Sequence, residues 1–173
     1  GIQIADKFLE IDTTDSKSIL DSAREYSICG IATSGSDVCI PSVGLVVDSL
    51  GLSGSGFESS LKSMNKKAMK QAFLSFDVPT PRFGIAESIN EIEEYCGKFG
   101  FPVAIKACDS SGSRGVSRVD SPSQIEEAFL ASISVSKEPF VIVEEWVDGT
   151  EFGAQVIISN GEIIDIIFHN DQT

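Results

Sequence analysis

Positive charge is what this sequence has least of. Thirteen lysines and arginines stand against 26 aspartates and glutamates, a formal net charge of −13 over 173 residues. Nucleic-acid backbones and anionic membranes reward clustered Lys and Arg, so neither is an expected partner. A small anionic ligand remains open, because it needs only two or three local cations. Histidine occurs once, at His169, and the four cysteines (Cys29, Cys39, Cys96, Cys108) include no pair at metal-ligand spacing. A zinc site is not expected. Scattered thiols without a signal peptide point to reduced cysteines and a cytoplasmic setting. No apolar run approaches the roughly 20 residues of a membrane span. Neither G-x-G-x-x-G nor a Walker A pattern occurs: the glycines of GLSGSG, residues 51–56, are followed by Ser59 where a third is needed, and no strand feeds them.

What is present suffices for a packed core. Hydrophobic residues make up 42% and mean hydropathy is +0.10, which excludes global disorder and fits one ordinary domain or two small lobes. The ends, Gly1-Ile2-Gln3 and His169-Asn170-Asp171-Gln172-Thr173, read as the middle of a fold, so the chain is expected to be part of something longer.

Residues 8–11 predict a short strand, and 15–27 a helix capped by Thr14 or Asp15. Residues 28–32 predict a buried strand, and 38–50 a helix that tolerates Pro41 in its first turn. This alternation reads as part of a parallel, Rossmann-like sheet. Residues 51–56 are a flexible link. Residues 64–76 predict a basic helix carrying Lys66, Lys67 and Lys70, stopped by Val78-Pro79-Thr80-Pro81. Ser88–Glu91 and Ser121–Gln124 have the form of capping boxes opening two further helices. Strands are expected at 101–107, 115–119 and 140–145, and a hairpin at 150–168 turning on Asn160-Gly161. The class is α/β, shading to α+β in the second part.

The stretch FPVAIKACDSSGSRGVSRV, residues 101–119, sets Lys106 at the end of an apolar strand and follows it with Ser and Gly. Small residues let backbone N–H groups approach phosphate oxygens, and Lys supplies a point charge. Arg114, between Gly112 and Gly115, adds a second cation. A surface hairpin whose turn needs glycine is the simpler reading of that segment alone. Downstream, VIVEEWVDGTE can present backbone groups of Glu145 and Val147 to a purine edge. Glu144 and Glu151 could accept hydrogen bonds from an amino group or ribose hydroxyls. An acidic, exposed strand end is the plain alternative.

Four segments in order carry a resemblance: Asn65-Lys66 with Val78-Pro79, then Gly100-Phe101-Pro102-Val103-Ala104-Ile105-Lys106-Ala107, then the loop to Arg114-Gly115, then Val143-Glu144-Glu145 to Gly149-Thr150-Glu151. Residues 64–173 resemble the ATP-grasp superfamily of carboxylate–amine and carboxylate–thiol ligases, as in biotin carboxylase and carbamoyl-phosphate synthase large chains. Residues 1–56 resemble the preceding pre-ATP-grasp domain in part. Residues 57–81 would be linker and basic helix, 82–147 the nucleotide-binding lobe, and 148–173 the start of a second lobe.

The resemblance implies ATP as ligand, with Mg²⁺ and a small carboxylate substrate in the complete protein. It implies that Lys66 reaches the phosphates and Lys106 the α and β phosphates. The loop from Asp109, with Ser111, Gly112, Ser113, Arg114 and Gly115, would close over them. Glu144 would meet the adenine amino group, Val147 the ring through its backbone, and Glu151 the ribose. Asp109, Ser110, Ser111 and Ser113 replace glycines of the biotin carboxylase loop, and Asp109 would repel phosphate unless it points away or pairs with Arg114. The family's magnesium ligands lie beyond this stretch, so the chain alone is expected to lack ligase activity. A nucleotide-binding module working with a partner subunit, or an interaction domain without ligand, are the other readings. The apolar hairpin is expected to promote self-association through an unpaired edge.

Overall fold

The computed structural model describes residues 4–170; the expectations for Gly1-Ile2-Gln3 and for 171–173 lie outside the described residues. The chain begins with four helices: α1 (Ser16–Glu25), α2 (Ile40–Leu50), α3 (Phe57–Met64) and α4 (Lys66–Ser75). Asp15 caps α1 by accepting from the Ser18 N–H, and Asn65 caps α4 by accepting from the Ala68 N–H. Among these described residues no helix is long and apolar enough to cross a membrane.

The strands expected at 8–11 and 28–32 do not form, although helices α1 and α2 do. A strand exists only against a partner, and among the described residues no strand lies beside either segment. The segment at 28–32 is correspondingly uncovered at Cys29, Gly30 and Ala32, which are exposed. The region expected to be linker contains α3, which begins where Asp48 Oδ2 accepts from the Phe57 N–H at 2.8 Å.

Residues 83–145 fold as one antiparallel sheet of order β1-β4-β2-β3. Its strands are β1 (Phe83–Ala86), β2 (Val103–Ala107), β3 (Val116–Val119) and β4 (Val141–Glu145). Helices α5 (Ile89–Phe99) and α6 (Ile125–Ser134) cover one face. The two-residue side-chain period sends Val103 and Ile105 of β2, and Val141 and Val143 of β4, into that core with Ile92, Cys96 and Ile125. Strand β1 was not expected from the sequence. It is four residues long and contains Gly84, where a Cβ would sit 2.2 Å from the Tyr95 ring.

Capping of α5 departs slightly from the expected box. Ser88 Oγ accepts from the Glu91 N–H, but Glu91 Oε2 accepts from the Glu87 N–H at 2.6 Å. The second box is half made. Gln124 Oε1 accepts from the Asp120 N–H at 2.7 Å, while the Ser121 hydroxyl pairs with that of Ser123 and a 3-10 turn over Pro122–Gln124 precedes α6.

Strands β5 (Phe152–Ser159) and β6 (Glu162–Asn170) form a separate two-stranded sheet. Its turn has the expected form, with Asn160 at φ 52° and Gly161 at φ 81°. Ile158, Ile163, Ile164 and Phe168 are each more than 60% exposed, so the hairpin's apolar surface is uncovered by the described residues.

Candidate functional site

The same strand alternation puts Lys106 and Glu144 on the sheet face opposite α5 and α6. Ala104 of β2 pairs with Glu144 of β4, and Lys106 pairs with Ile142, so the two charged residues are diagonal neighbours. From helix α4, Lys70 reaches this face at Glu144, and Lys67 Nζ lies 4.7 Å from the Phe140 ring centroid. Glu144 is buried, 3% exposed, and each of its oxygens meets a different lysine. Oε2 accepts from Lys106 Nζ at 2.7 Å, and Oε1 lies 3.2 Å from Lys70 Nζ. Lys70 also donates to Thr80 Oγ1 at 2.7 Å, and its Nζ lies 5.7 Å from the Phe83 ring centroid. Burial pushes the Lys70 ammonium below the usual lysine range, and the Glu144 carboxylate opposes that shift.

Lys66 stands one turn before Lys70 at the start of α4. Its backbone N–H donates to the Cys108 carbonyl at 2.9 Å, and its Nζ donates to the Ser110 carbonyl at 2.5 Å. Burial lowers its pKa, and the neighbouring Lys106 charge adds in the same direction. A cavity of about 220 Å³ opens beside it, walled by Ile40, Met64, Met69, Ser110 and Ser111.

The loop from Asp109 to Gly115 is pinned at both feet. At the first, the Asp109 carboxylate is held by hydrogen bonds: Oδ1 accepts from Ser136 Oγ at 2.6 Å and Oδ2 from the Lys137 N–H at 3.1 Å. Burial raises its pKa, but these hydrogen bonds outweigh that and hold it below the ordinary carboxylate range. The Asp109 carboxylate is thus engaged by Ser136 and Lys137, and not by Arg114, which donates to the Ser111 carbonyl at 3.2 Å, and it remains on the cavity wall beside Lys66. At the second foot, the Gly115 carbonyl accepts from the Ala107 N–H at 2.7 Å and from Ser132 Oγ at 3.0 Å. Between the feet Gly112, Ser113 and Arg114 are exposed, with Gly112 and Ser113 at positive φ.

Gly115 needs to be glycine on two counts. Its φ is 66°, and a Cβ there would lie 2.5 Å from Val135 Cγ2 and 2.9 Å from Ala107 Cβ. Gly115→Val is expected to destabilise the fold by roughly 2–4 kcal/mol, from left-handed strain plus overpacking. A chemical-denaturation midpoint equal to wild type would contradict this.

The remaining expected residues lie at the end of β4 and beyond. The Glu145 side chain pairs with Arg82 Nε at 2.8 Å, which holds its pKa below the ordinary range. Its N–H donates to the Arg82 carbonyl at 2.9 Å, so that donor is engaged within the protein. Val147 is 64% exposed. Glu151 is exposed and immediately precedes β5. Trp146 Nε1 donates to Asp148 Oδ1 at 2.9 Å, and its ring lies under the Arg118 guanidinium at 4.7 Å.

The structure therefore brings together Lys66, Lys106, Glu144 and the loop 109–115, and leaves Val147 and Glu151 exposed on the segment leading to the hairpin. It adds Lys70 and Thr80, which the sequence reading did not place in the site. The signal for Lys70 was its four-residue step from Lys66, which sets both on one face of α4; Thr80, beyond the helix, had none.

An ATP-grasp domain model matches residues 71–162, more than half of the chain, and the chain belongs to the ATP-grasp family. Lys66 and Lys70 fall just ahead of the matched span. A D-alanine–D-alanine ligase of Pseudomonas fluorescens (strain Pf0-1) is 31% identical over 108 residues, covering 62% of this chain and 33% of that ligase. The phosphoribosylglycinamide synthetase of Anaerococcus prevotii superposes with a TM-score of 0.75 at 25% identity, over 99% of this chain and 42% of that one. The biotin carboxylase domain of Hydrogenobacter thermophilus 2-oxoglutarate carboxylase, solved with MgADP and bicarbonate, shares the fold at TM-score 0.70 and 17% identity, over 87% of this chain and 37% of that one. The chain spans between a third and a half of the length of the curated relatives it matches.

Proposed function

We propose that this chain is the ATP-binding portion of an ATP-grasp ligase that activates a carboxylate as an acylphosphate for attack by an amine or a thiol. The observation that carries the reading is two lysines, Lys70 and Lys106, meeting one buried carboxylate, with a third, Lys66, bonded to the pinned serine–glycine loop beside them. Lys66 and Lys106 would bind phosphate oxygens, with the loop from Ser111 to Gly115 folding over them. Glu144 would receive the adenine amino group. Val147 would serve the ring edge through its backbone, the Glu145 carbonyl would do the same, and Glu151 would take the ribose. The domain division at residues 56, 81 and 147 belongs to the same reading, as do a cytoplasmic setting, self-association and the kinship with carbamoyl-phosphate synthase large chains.

In the complete reaction a substrate carboxylate oxygen would bond to the γ phosphorus as the bond to ADP breaks. The amine or thiol would then attack the acyl carbon and expel phosphate. Fixed cations and backbone donors stabilise the charge that moves in such a transfer, and no nucleophilic side chain is needed. Magnesium accompanies ATP in this chemistry. Among the described residues no three acidic, histidine or cysteine side chains are grouped to hold a metal. The 173-residue chain is expected to bind nucleotide without turnover.

Titration with ATP tests the reading. A ligand at 100 times its Kd stabilises the fold that binds it by about 2.7 kcal/mol. The expected result is a rise in melting temperature of several degrees that saturates with ATP. No shift at millimolar ATP would contradict the proposal. The exposed apolar hairpin favours one second reading, a binding module that works against a partner subunit; it predicts the same ATP shift but a stable complex with that subunit.

A further inference from the structure

We infer that Lys70 is a positioning residue that keeps Glu144 compensated when Lys106 leaves it for the phosphates of a nucleotide. The inference rests on the nucleotide-binding reading above and goes beyond it, because none of the implied roles falls on Lys70.

The geometry divides the labour between the two lysines. They meet different oxygens of one carboxylate, Lys106 at Oε2 and Lys70 at Oε1. The Lys106 side chain is 27% exposed and sits at the strand end where the loop begins; that of Lys70 is 10% exposed. Lys70 is further fixed by Thr80 Oγ1 and by the Phe83 ring. Lys106 is thus the partner able to swing toward a ligand, and Lys70 the one that stays.

The energetics make that division matter. A carboxylate as buried as Glu144 cannot lose its only cation cheaply. Were Lys106 the sole partner, every phosphate contact it made would leave a buried charge uncompensated, and the phosphates would compete with the protein's own anion. With Lys70 in place, Glu144 keeps one ion pair throughout. The site without ligand also gathers Lys66, Lys70 and Lys106 around the buried Glu144, with Asp37 and Asp109 on the cavity wall beside Lys66, a concentration of cations suited to a polyphosphate.

The test compares affinities for ATP and adenosine, by calorimetry on the 173-residue chain, in wild type and variants. Lys70→Met is expected to weaken ATP at least about tenfold, ~1.4 kcal/mol, while adenosine changes by no more than about twofold. Lys70→Arg is expected to retain most of the ATP affinity. Adding Glu144→Gln to Lys70→Met removes the stranded charge, and the ratio of ATP to adenosine affinity should return to that of Glu144→Gln alone. A residue that merely docks α4 on the sheet would lower both affinities together and would not be rescued. If Lys70→Met does not fold, Thr80→Val carries the test through the same ratio, which must fall. Equal losses for ATP and adenosine, or an unchanged ratio in the folded variant, would overturn the inference and leave the nucleotide reading intact. A wild-type chain that binds neither ligand would overturn both.

Discussion

Glu144→Ala is expected to cost more stability than any other single change at the site. The substitution leaves two ammonium groups facing the space of a lost carboxylate. Lys106, partly exposed, can turn to water. Lys70 cannot: its side chain is 10% exposed, and only the Thr80 hydroxyl and the Phe83 ring remain to it. Removing one partner of a buried ion pair typically costs ~3–5 kcal/mol. For a chain of this size each kcal/mol lowers Tm by roughly 2–4 °C, so a fall of about 6–20 °C is expected. Two controls identify the cause. Lys70→Met combined with Glu144→Leu removes the charges together and should recover most of the loss, because apolar replacements of a buried pair are often neutral or stabilising. The second control is pH. In Glu144→Ala nothing opposes the burial that already lowers the Lys70 pKa. A lysine whose folded pKa lies below its unfolded value binds fewer protons when folded. Stability of the variant should therefore rise with pH between that depressed pKa and the ordinary lysine value of about 10.4. A variant that melts within a degree or two of wild type would show that Lys70 finds water in the folded state, and the charge argument would fail.

Much of this arrangement was legible in the sequence because it depends on short-range rules. Strand β2 and its loop announce themselves through an apolar run broken at Lys106 and followed by Ser and Gly. The hairpin does so through Asn160-Gly161, and α1 and α5 through Asp15 and Ser88. What was not legible depends on contacts between distant residues. The segments at 8–11 and 28–32 have the composition of strands, but composition cannot supply a ladder partner. Strand β1 is too short for its pattern to count, and it exists because β4 is there to pair with it. Helix α3 follows a Ser/Gly link and is held by Asp48 of α2, a contact no local pattern signals. Lys70 looked like one more lysine on a basic helix. Only the long-range contact with β4 turns it from a solvated charge into the second partner of Glu144. Asp109 could only be read as hostile to phosphate, because its hydrogen-bond partners, Ser136 and Lys137, lie 27 and 28 residues away in the sequence.

Lys106→Met should show the opposite balance, a large loss of nucleotide affinity with little loss of stability. In the folded chain Glu144 keeps its contact with Lys70, so no buried carboxylate is stranded. Lys106 is partly exposed, and its removal is expected to cost no more than about 1 kcal/mol of folding free energy, as for pairs near the surface. Toward ATP the same side chain would supply a charged hydrogen bond to phosphate. Such bonds are worth about 1.5–3 kcal/mol, so ATP affinity should fall by roughly 10- to 150-fold. Adenosine binding should change little, since it presents no phosphate. The loss should also be salt-dependent. The wild-type advantage over Lys106→Met is expected to shrink as ionic strength rises, because the cation faces the solvent-open side of the site. Calorimetric titrations of both chains with ATP and adenosine, at two salt concentrations, measure all three quantities. Equal ATP affinities would remove Lys106 from the site. Parallel losses of ATP affinity and of Tm would instead mean that Lys106, and not Lys70, is what holds Glu144 in the fold.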